Sequence, residues 1–437
     1  TFQAYLNIGE GRFITILARC NLYLVLPNLR YTTMTIGIGG SSAEIELAKL
    51  TSMRDTAVPI QVDEYQVRLK KVRLLMVEAS IDALYLDATS SLHYFTGMRC
   101  HASERLHGAI ITTSGDLIYV CPTFEEQKTK ACMVIEGEFL LWEEHENPMA
   151  AVAETVLIRS EADSVLLAVD PQTPFFIVDG LQKASSKLTV VNADSLIWPC
   201  RQIKSQAEIS LLTQAKAITL KVQHAVARIL KPGIDTRDVQ LFLDAAHIAS
   251  GMDGRSTFKI VLFGEPTAYP HGVPYPQTLA ENDMVLIDTG ATLHGYNSDI
   301  TRSYVFGEPN MRQREIWALE HAAQQAAFEA AQIGAPCSAP DAAARAVIAA
   351  AGFGPGYKVP GLPHRTGHGV GLDVHEHPYI VKGNDLPLAP GMCFSIEPMI
   401  CSYGEFGVRL EDHAYISEQG PRWFTEPSES IENPSNS

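Results

Sequence analysis

The spacing of apolar residues predicts that helices and strands alternate over the N-terminal half of the chain. Residues 62–80 repeat apolar side chains at helical intervals, whereas the short apolar runs 83–87 and 164–170 are typical of buried strands. The runs 108–111 and 117–120 flank a Thr-Ser-Gly-Asp turn and predict a β-hairpin. Alternation of this kind predicts an α/β domain.

The C-terminal half is predicted to combine long helices with strands that carry acidic residues. An amphipathic helix is predicted over 206–230, where Lys231-Pro232-Gly233 stops it. Two Ala-rich stretches, 312–332 and 340–351, predict core-packing helices rather than low-complexity sequence. The last dozen residues, from Glu426, are expected to be a frayed tail.

A break near residue 200, at Trp198-Pro199-Cys200, predicts the boundary between two domains. Residues 34–200 are expected to form the N-terminal domain and residues 201–437 the C-terminal domain. Residues 1–33 are expected to be an extension or a segment derived from expression, with Met34 as the natural start, because no methionine precedes it.

Composition and charge exclude several classes of protein. A chain of 437 residues can form two or three domains with large cores. Its net charge of -16 argues against nucleic-acid binding and against attraction to anionic membranes. The eight cysteines are scattered without a Cys-x-x-Cys pair, so neither a disulfide scaffold nor a zinc ribbon is expected. Reduced thiols in a cytoplasmic protein are the expectation.

Five side chains of metal-binding type lie in strand-like or glycine-rich contexts: Asp288, Asp299, His368, Glu397 and Glu411. The first two acids flank one polar turn and the last two flank another, so each pair is expected on a hairpin with one acid per strand. The glycines around the histidine allow backbone to crowd closely around a ligand. Burying such acids is costly unless a positive charge neutralises them.

The chemistry of these five residues predicts a dinuclear metal hydrolase. Each acid taken alone is more often a turn residue, but the set of five in these contexts reverses that interpretation. An oxygen-rich set favours two divalent ions of a hard metal, with Mn²⁺ expected first and Co²⁺, Fe²⁺ or Zn²⁺ as alternatives. Two such ions about 4 Å apart can activate one bridging water and polarise a carbonyl.

The segments around these residues resemble the ligand motifs of the "pita-bread" metallopeptidases, which include methionine aminopeptidase, aminopeptidase P and prolidase. The resemblance rests on Leu286–Gly290, Ser298–Arg302, Gly367–Gly371, Ile396–Pro398 and Arg409–Asp412. It implies an α/β (α+β) chain with a creatinase-like N-terminal domain followed by a pita-bread catalytic domain. The segment 87–97 is similar to one that reaches toward a neighbouring subunit in this family, so a homodimer is also implied.

The resemblance implies a role for each ligand. Asp288 would chelate one metal, and Asp299 and Glu411 would bridge both. His368 and Glu397 would complete the shell of the other metal. Glu397 would also act as the general base, because a carboxylate bound through one oxygen can accept a proton on the other.

The resemblance also implies four residues that assist the reaction. His271 and His375 match the pair that flanks the scissile bond, where they would steady the oxyanion and the proline nitrogen. His364 matches a histidine on the substrate side in the proline-specific branch. Arg409 matches an arginine beside the site, where it could orient an acid or a substrate terminus; the alternative is an ordinary surface ion pair.

Hydrolysis of the bond before proline in Xaa-Pro dipeptides, as by prolidase, is the leading hypothesis. The connection between Glu397 and Arg409 is short and reads Pro398-Met399-Ile400-Cys401-Ser402-Tyr403 after the glutamate, which departs from the branch and leaves the exact substrate open. Tyr403 is a candidate to line the pocket. Alternatives are aminopeptidase P, a metal-free creatinase-like amidinohydrolase, and an inactive peptide-binding module. The small peptide is the only ligand partner expected besides the metals.

Overall fold

The computed structural model describes residues 3–7, 13–17 and 37–434. Strands β1 (Gln3–Asn7) and β2 (Phe13–Leu17) pair antiparallel within a unit of residues 1–34, which is separate from the unit of residues 35–437. The predicted start at Met34 lies outside the described residues. Across the described part of the chain, no helix has both the length and the apolar character needed to cross a membrane.

The N-terminal part of the larger unit is a mixed six-stranded sheet with helices against it. Its strands are β3 (Ala83–Asp87), β4 (Gly108–Thr112), β5 (Leu117–Pro122), β6 (Glu138–Trp142), β7 (Val165–Val169) and β8 (Leu188–Asn192). They lie in the order β6-β5-β4-β3-β7-β8. The helices against it are α2 (Val62–Glu78), α3 (Ser90–Thr96), α4 (Glu126–Cys132), α5 (Pro148–Ser160), α6 (Phe175–Ala184) and α7 (Asp194–Arg201). The first helix, α1 (Ala43–Lys49), instead packs against two helices of the C-terminal part, Gln206–Ile229 and Thr236–Ala249. The predicted helix, strands and hairpin are all confirmed.

The C-terminal part carries four long helices around two larger sheets and two short strand pairs. The helices are α8 (Gln206–Ile229), α9 (Thr236–Ala249), α10 (Met311–Ala330) and α11 (Ser338–Ala350). One sheet has the order β13-β10-β9, with β9 (Phe258–Phe263), β10 (Met284–Gly290) and β13 (Ile300–Val305). Between β10 and β13 the chain forms a short hairpin of β11 (Thr292–Leu293) and β12 (Tyr296–Asn297). The second sheet has the order β15-β14-β16-β19-β20.

The strands of this second sheet and the adjoining hairpin are β14 (Gly367–Gly369), β15 (Glu376–Ile380), β16 (Cys393–Ile396), β17 (Met399–Ser402), β18 (Phe406–Arg409), β19 (Asp412–Ser417) and β20 (Gly420–Trp423). Strands β17 and β18 pair with each other, and β16 pairs with β19. A single bridge between Thr301 and Glu411 joins the two sheets, with the Glu411 amide donating to the Thr301 carbonyl at 3.2 Å. The two acid-bearing hairpins are therefore held side by side.

Helix α8 packs against the sheet formed by β9, β10 and β13. Its N-terminus is fixed by a reciprocal capping box between Ser205 and Glu208, which satisfies two otherwise orphaned amides. On its buried face, Gln223 donates through Nε2 to the carbonyls of Ile287 and Ile300 at 3.0 and 2.9 Å. These bonds fix α8 to the strands that carry the first two acids.

Two expectations from the sequence need correction. The secondary structure does not break at Trp198-Pro199-Cys200, because all three residues belong to helix α7. The predicted frayed tail is wrong for residues 426–434. Ile431 is 5% exposed, packs in the core, and accepts a hydrogen bond from the Val305 amide at 3.3 Å.

The buried histidine His247 predicts a loss of stability at mildly acidic pH. Thr219 and Ser256 hydroxyls lie 3.1 and 2.9 Å from its two ring nitrogens, and burial lowers its pKa to about 4. An unfolded histidine titrates near about 6.5, so unfolding takes up a proton between these pH values. The free energy of unfolding should therefore fall as the pH drops from about 6.5 toward about 4.

Urea unfolding at pH 7 and pH 5 measures this effect. We expect a smaller pH-dependent loss in His247→Gln than in the parent chain. The matched control is His145→Gln, since His145 is exposed. Equal losses in the parent and in His247→Gln would contradict the prediction.

Candidate metal centre

The first two acids come together through the β10–β13 ladder. Asp288 lies on β10 opposite Thr301, and Asp299 directly precedes β13. Both carboxylates are buried, at 7% and 3% exposure. The predicted hairpin with one acid at each strand is therefore present, with β11 and β12 forming its tip.

His368 is placed by a close crossing of two strands. A Cβ atom on the preceding Gly367 would lie 1.9 Å from the Ser395 carbonyl oxygen, so only glycine fits there. The His368 amide donates to Ser395 Oγ at 2.9 Å, and His368 Nδ1 lies 3.0 Å from the Gly369 carbonyl. In that arrangement Nδ1 donates to the carbonyl, and Nε2 points toward the acids.

Glu397 and Glu411 complete the group from just outside the β17–β18 hairpin. His368 Nε2 lies 2.9 Å from Glu397 Oε1 and 4.0 Å from Glu411 Oε1. The ligand atoms of His368, Glu397 and Glu411 all lie within 4.8 Å of one another, as do those of Asp288, Asp299 and Glu411. The structure thus brings together all five sequence-predicted ligands in two overlapping groups of three that share Glu411.

The electrostatics of this group are those of acids crowded away from water. Burial, together with the neighbouring carboxylates, raises the pKa of Asp299 and of Glu411 well above the usual range. Burial also raises the pKa of Asp288, although the Arg409 guanidinium opposes it. Burial acts to raise the pKa of Glu397 as well, but the hydrogen-bonded His368 outweighs it, so this pKa lies below its usual range.

Arg409 is a buried member of the site and not a surface ion pair. It ends strand β18, is 3% exposed, and donates to Asp288 Oδ2 at 2.5 Å. Its other nitrogens donate to Thr301 Oγ1 at 3.1 Å and to the Pro270 carbonyl at 2.9 Å. Arg409 thus orients one acid and also fixes the backbone beside His271.

His271 and His375 lie on the rim of a cavity that opens onto the acids. The cavity has a volume of about 320 Å³ and is lined by both histidines, the five predicted ligands and Arg409. The His375 ring packs edge-on against His368, with ring centroids 4.0 Å apart. Partial desolvation and the neighbouring His368 lower the pKa of His375 to about 4.

Two candidates from the sequence do not line this cavity. His364 Nδ1 lies 2.7 Å from the Arg365 carbonyl, and its ring is beside the site without forming part of the cavity wall. Burial lowers the pKa of His364, against the opposing charge of Glu397. Tyr403 is 54% exposed at the tip of the β17–β18 hairpin and packs on Tyr269, so the sequence interpretation that placed it in the pocket is wrong.

Comparison with known proteins assigns the family. The model of metallopeptidase family M24 matches residues 210–418, and the creatinase/prolidase N-terminal domain matches residues 68–203. A protein of Mycobacterium tuberculosis named "Probable dipeptidase PepE" is 35% identical over 359 residues, which cover 82% of this chain and 93% of that protein. The chain belongs to metallopeptidase family M24.

Solved structures agree with this family assignment. A prolidase from Thermococcus sibiricus superposes with a TM-score of 0.76 at 29% identity, covering 83% of this chain and 97% of that one. A dipeptidase from Pyrococcus horikoshii superposes with a TM-score of 0.73 at 32% identity, covering 82% and 98%. The expected fold, a creatinase-like N-terminal domain with a pita-bread catalytic domain, is confirmed.

The M24 site has the donor set that divalent metals require. Asp288 Oδ1 and Glu411 Oε1 are buried without a hydrogen-bond partner among the described residues, and both belong to the overlapping groups of three. Orphaned buried carboxylate oxygens are costly, and bound cations would neutralise them. The described residues therefore fit divalent metal ions, as expected of a metallopeptidase family.

Two buried residues of this M24 site were missed from the sequence. His413 on β19 brings a ring nitrogen within 4.8 Å of ligand atoms of Asp299 and His368, and neither of its ring nitrogens has a well-formed hydrogen bond in the part of the chain described. Burial lowers its pKa well below the usual range, although the Asp299 backbone favours the charged form. Its position directly after the Glu411-Asp412 pair was the signal available.

Lys216 is the other residue that was missed. It lies fully buried on α8, with Nζ 3.4 Å from the Asn297 carbonyl and 5.1 Å from the Phe424 ring centroid. Burial lowers its pKa to about 8, against the opposing effect of nearby acids. The available signal was a lysine on the apolar face of α8, between Leu212 and Thr219.

Proposed function

We propose that the chain hydrolyses the peptide bond before proline in Xaa-Pro dipeptides. The observation that carries this proposal is the convergence of five ligand residues beneath a cavity whose rim holds two histidines. The prolidase and dipeptidase names of the similar proteins support it. Two divalent ions, Mn²⁺ first among the candidates, would be held by Asp288, Asp299, His368, Glu397 and Glu411.

Bound divalent ions at this position would lower the pKa of a water molecule and polarise the scissile carbonyl. The proton from that water would go to Glu397, whose carboxylate faces the cavity. Ser395 Oγ donates to Glu397 Oε1 at 3.0 Å, which fixes the carboxylate and leaves Oε2 to accept the proton. Glu397 would then pass this proton to the departing proline nitrogen.

His271 and His375 would stabilise the charge that develops on the substrate. Both line the cavity, and His375 is neutral near pH 7 because its pKa is about 4. A neutral imidazole can donate one hydrogen bond to an oxyanion. Arg409 would act indirectly by orienting Asp288, and His364 would act from the substrate side of the site, as the family resemblance implies.

An aminopeptidase P activity on longer Xaa-Pro peptides is the second candidate. A polar groove of about 340 Å³ shares Ile260 and His271 with the metal cavity. Arg237 and Lys259 also line this groove. The groove therefore offers space and basic side chains for the residues of a peptide longer than a dipeptide. The position of this groove next to the metal cavity is the specific observation that favours this activity.

Domain organisation and assembly complete the proposal. The matches at 68–203 and 210–418 support domains at 34–200 and 201–437, preceded by an extension over 1–33. A homodimer is proposed because it is the commonest assembly of such proteins. The described cysteines are all free thiols, which supports a reducing, cytoplasmic location.

Hydrolysis of Ala-Pro and Ala-Pro-Ala by chelator-treated protein, with and without Mn²⁺, tests the proposal. We expect chelation to remove activity and Mn²⁺ to restore it, because the acids repel one another without cations. Cleavage of Ala-Pro alone would establish the dipeptidase. Cleavage of the tripeptide would assign aminopeptidase P instead.

Gly-Leu provides the matched control substrate, since it lacks proline. Restored cleavage of Gly-Leu at the same rate as Ala-Pro would contradict proline specificity. Absence of metal-dependent cleavage of any of the three peptides would contradict the enzymatic proposal and favour a peptide-binding module.

A further inference from the structure

The His375 imidazole is placed by the backbone that carries it and not by its own side-chain bonds. Among the residues that the structure describes, its ring contacts His368 but makes no hydrogen bond. The ring is exposed and follows Val374, which also lines the metal cavity. Its position over the site therefore depends on the turn of residues 371–376.

One end of this turn is held by a buried cluster of three charged side chains. Glu376 is 2% exposed and accepts from Arg201 at 2.5 Å through Oε2 and from Lys204 at 2.5 Å through Oε1. Both cations are themselves buried, at 1% and 4% exposure. Glu376 Oε2 also accepts from the Asp373 amide at 3.2 Å, which closes the turn.

The middle of the turn is held by Asp373, and residues of the N-terminal domain supply two of its donors. Asp373 Oδ2 accepts from Arg201 at 2.9 Å, from Ser90 Oγ at 2.7 Å and from Gln172 Nε2 at 3.0 Å. Ser90 begins helix α3 and Gln172 follows strand β7. A single carboxylate oxygen thus accepts from three donors, on α7, on α3 and after β7.

The start of the turn is held from the opposite side by Asn297. The Gly371 carbonyl accepts from the Asn297 amide at 2.8 Å, and Asn297 Nδ2 donates to the Gly371 and Leu372 carbonyls at 3.1 and 2.9 Å. A Cβ on Gly371 would lie 2.5 Å from Glu376 Oε1, so the turn closes too tightly for any side chain there. Asn297 lies two residues before the ligand Asp299.

We propose that Asp373 and Glu376 form a clamp that positions His375 over the scissile bond. Arg201 and Lys204 hold the two acids by ion pairs, and Ser90 and Gln172 of the N-terminal domain donate hydrogen bonds to Asp373. The inference rests on the proposed function, because it assumes that His375 contacts the substrate. The four charged members are positioning residues and touch no substrate. Burying so many charges is weak evidence for stability but is suited to fixing one geometry.

The physical reason for such a clamp is the cost of misplacement. A displacement of about 1 Å in a group that hydrogen-bonds the transition state can cost about 100-fold in rate. A turn on the surface of a cavity has few packing contacts to prevent that displacement. The clamp ties the turn to α7 and α3, to the residues after β7, and to strand β12 at once.

Asp373→Ala tests the clamp with the least damage to the fold, because Arg201 remains paired with Glu376. We expect kcat for the cleaved peptide to fall about tenfold, with KM changed by less than about twofold, since His375 acts only in the transition state. In a His375→Ala background the same substitution should change kcat by less than about twofold. The matched control is Arg99→Met, which breaks a 2.8 Å ion pair to Asp253 between the same domains without touching the turn.

A readout independent of activity separates this inference from the proposed function. In histidine-labelled protein, the nuclear Overhauser contact between the His368 and His375 rings should weaken in Asp373→Ala and persist in Arg99→Met. An inactive parent chain with this change in ring contact would contradict the proposed function and leave the clamp standing. An unchanged ring contact, an additive loss of kcat in the double variant, or an equal loss in Arg99→Met would overturn the clamp.

Discussion

Glu411→Gln is expected to abolish turnover while the fold remains intact. Glu411 Oε2 accepts from Thr301 Oγ1 at 2.7 Å, and a glutamine oxygen can keep that bond. The substitution removes the negative charge of Glu411, which belongs to both groups of three that the five predicted ligands form. We expect kcat/KM to fall at least about 1,000-fold, which corresponds to about 4 kcal/mol of transition-state stabilisation.

Asp288→Asn is the companion substitution at the other end of the site. It should cause a similar loss of kcat/KM, together with a larger loss of stability, because Arg409 would stay buried without its carboxylate partner. Asp283→Asn is the control, since Asp283 lies outside the cavity on the loop before β10. Metal content, Mn²⁺-dependent hydrolysis and thermal unfolding are measured for all three variants.

The two substitutions also test whether the centre holds more than one metal. If each variant binds less Mn²⁺ than the parent and loses activity, the shared-ligand arrangement is supported. If either purified variant keeps parental turnover, the dinuclear mechanism is wrong, whatever the fold similarity.

The sequence was sufficient for most elements because local signals and tertiary packing agreed. Helix α8 shows an apolar stripe, a Ser205–Glu208 capping box and a Pro-Gly stop, and each signal is local. The acid-bearing hairpins were predictable because Asp288 and Asp299 flank a short polar turn, which brings paired strands together. In these regions the local sequence signals and the tertiary packing predict the same secondary structure.

What the sequence could not predict depends on contacts between distant segments. Lys216 and His413 join the site from a helix and a strand far apart in the chain, and no local pattern reports which face of each element meets the acids. Tyr403 was misplaced because hairpin geometry turns its tip toward Tyr269 and away from the cavity. The C-terminal tail was misjudged because its polar composition hid the buried residues Ser428 and Ile431.

Asp412→Ala is expected to cause the largest loss of stability among single substitutions near the site. Asp412 is fully buried and accepts from Arg302 at 2.8 and 3.2 Å, from Thr425 at 3.1 Å and from Gln324 at 3.3 Å. Removing one partner of a buried ion pair leaves an uncompensated charge, which costs about 3–5 kcal/mol. The free energy of unfolding from urea denaturation measures the loss.

An exposed ion pair provides the control for this effect. Glu405→Ala removes the partner of Arg312, and both side chains are largely exposed, so a loss of at most about 1 kcal/mol is expected. A loss of that small size in Asp412→Ala would contradict the prediction. A large loss would carry a functional consequence, because Arg302 lies on β13 after Asp299 and Asp412 directly follows Glu411. The ion pair therefore joins the two strands next to Asp299 and Glu411, the acids that would bridge the metals. For this reason Asp412→Ala should also reduce the increase in stability that added Mn²⁺ gives to the folded chain.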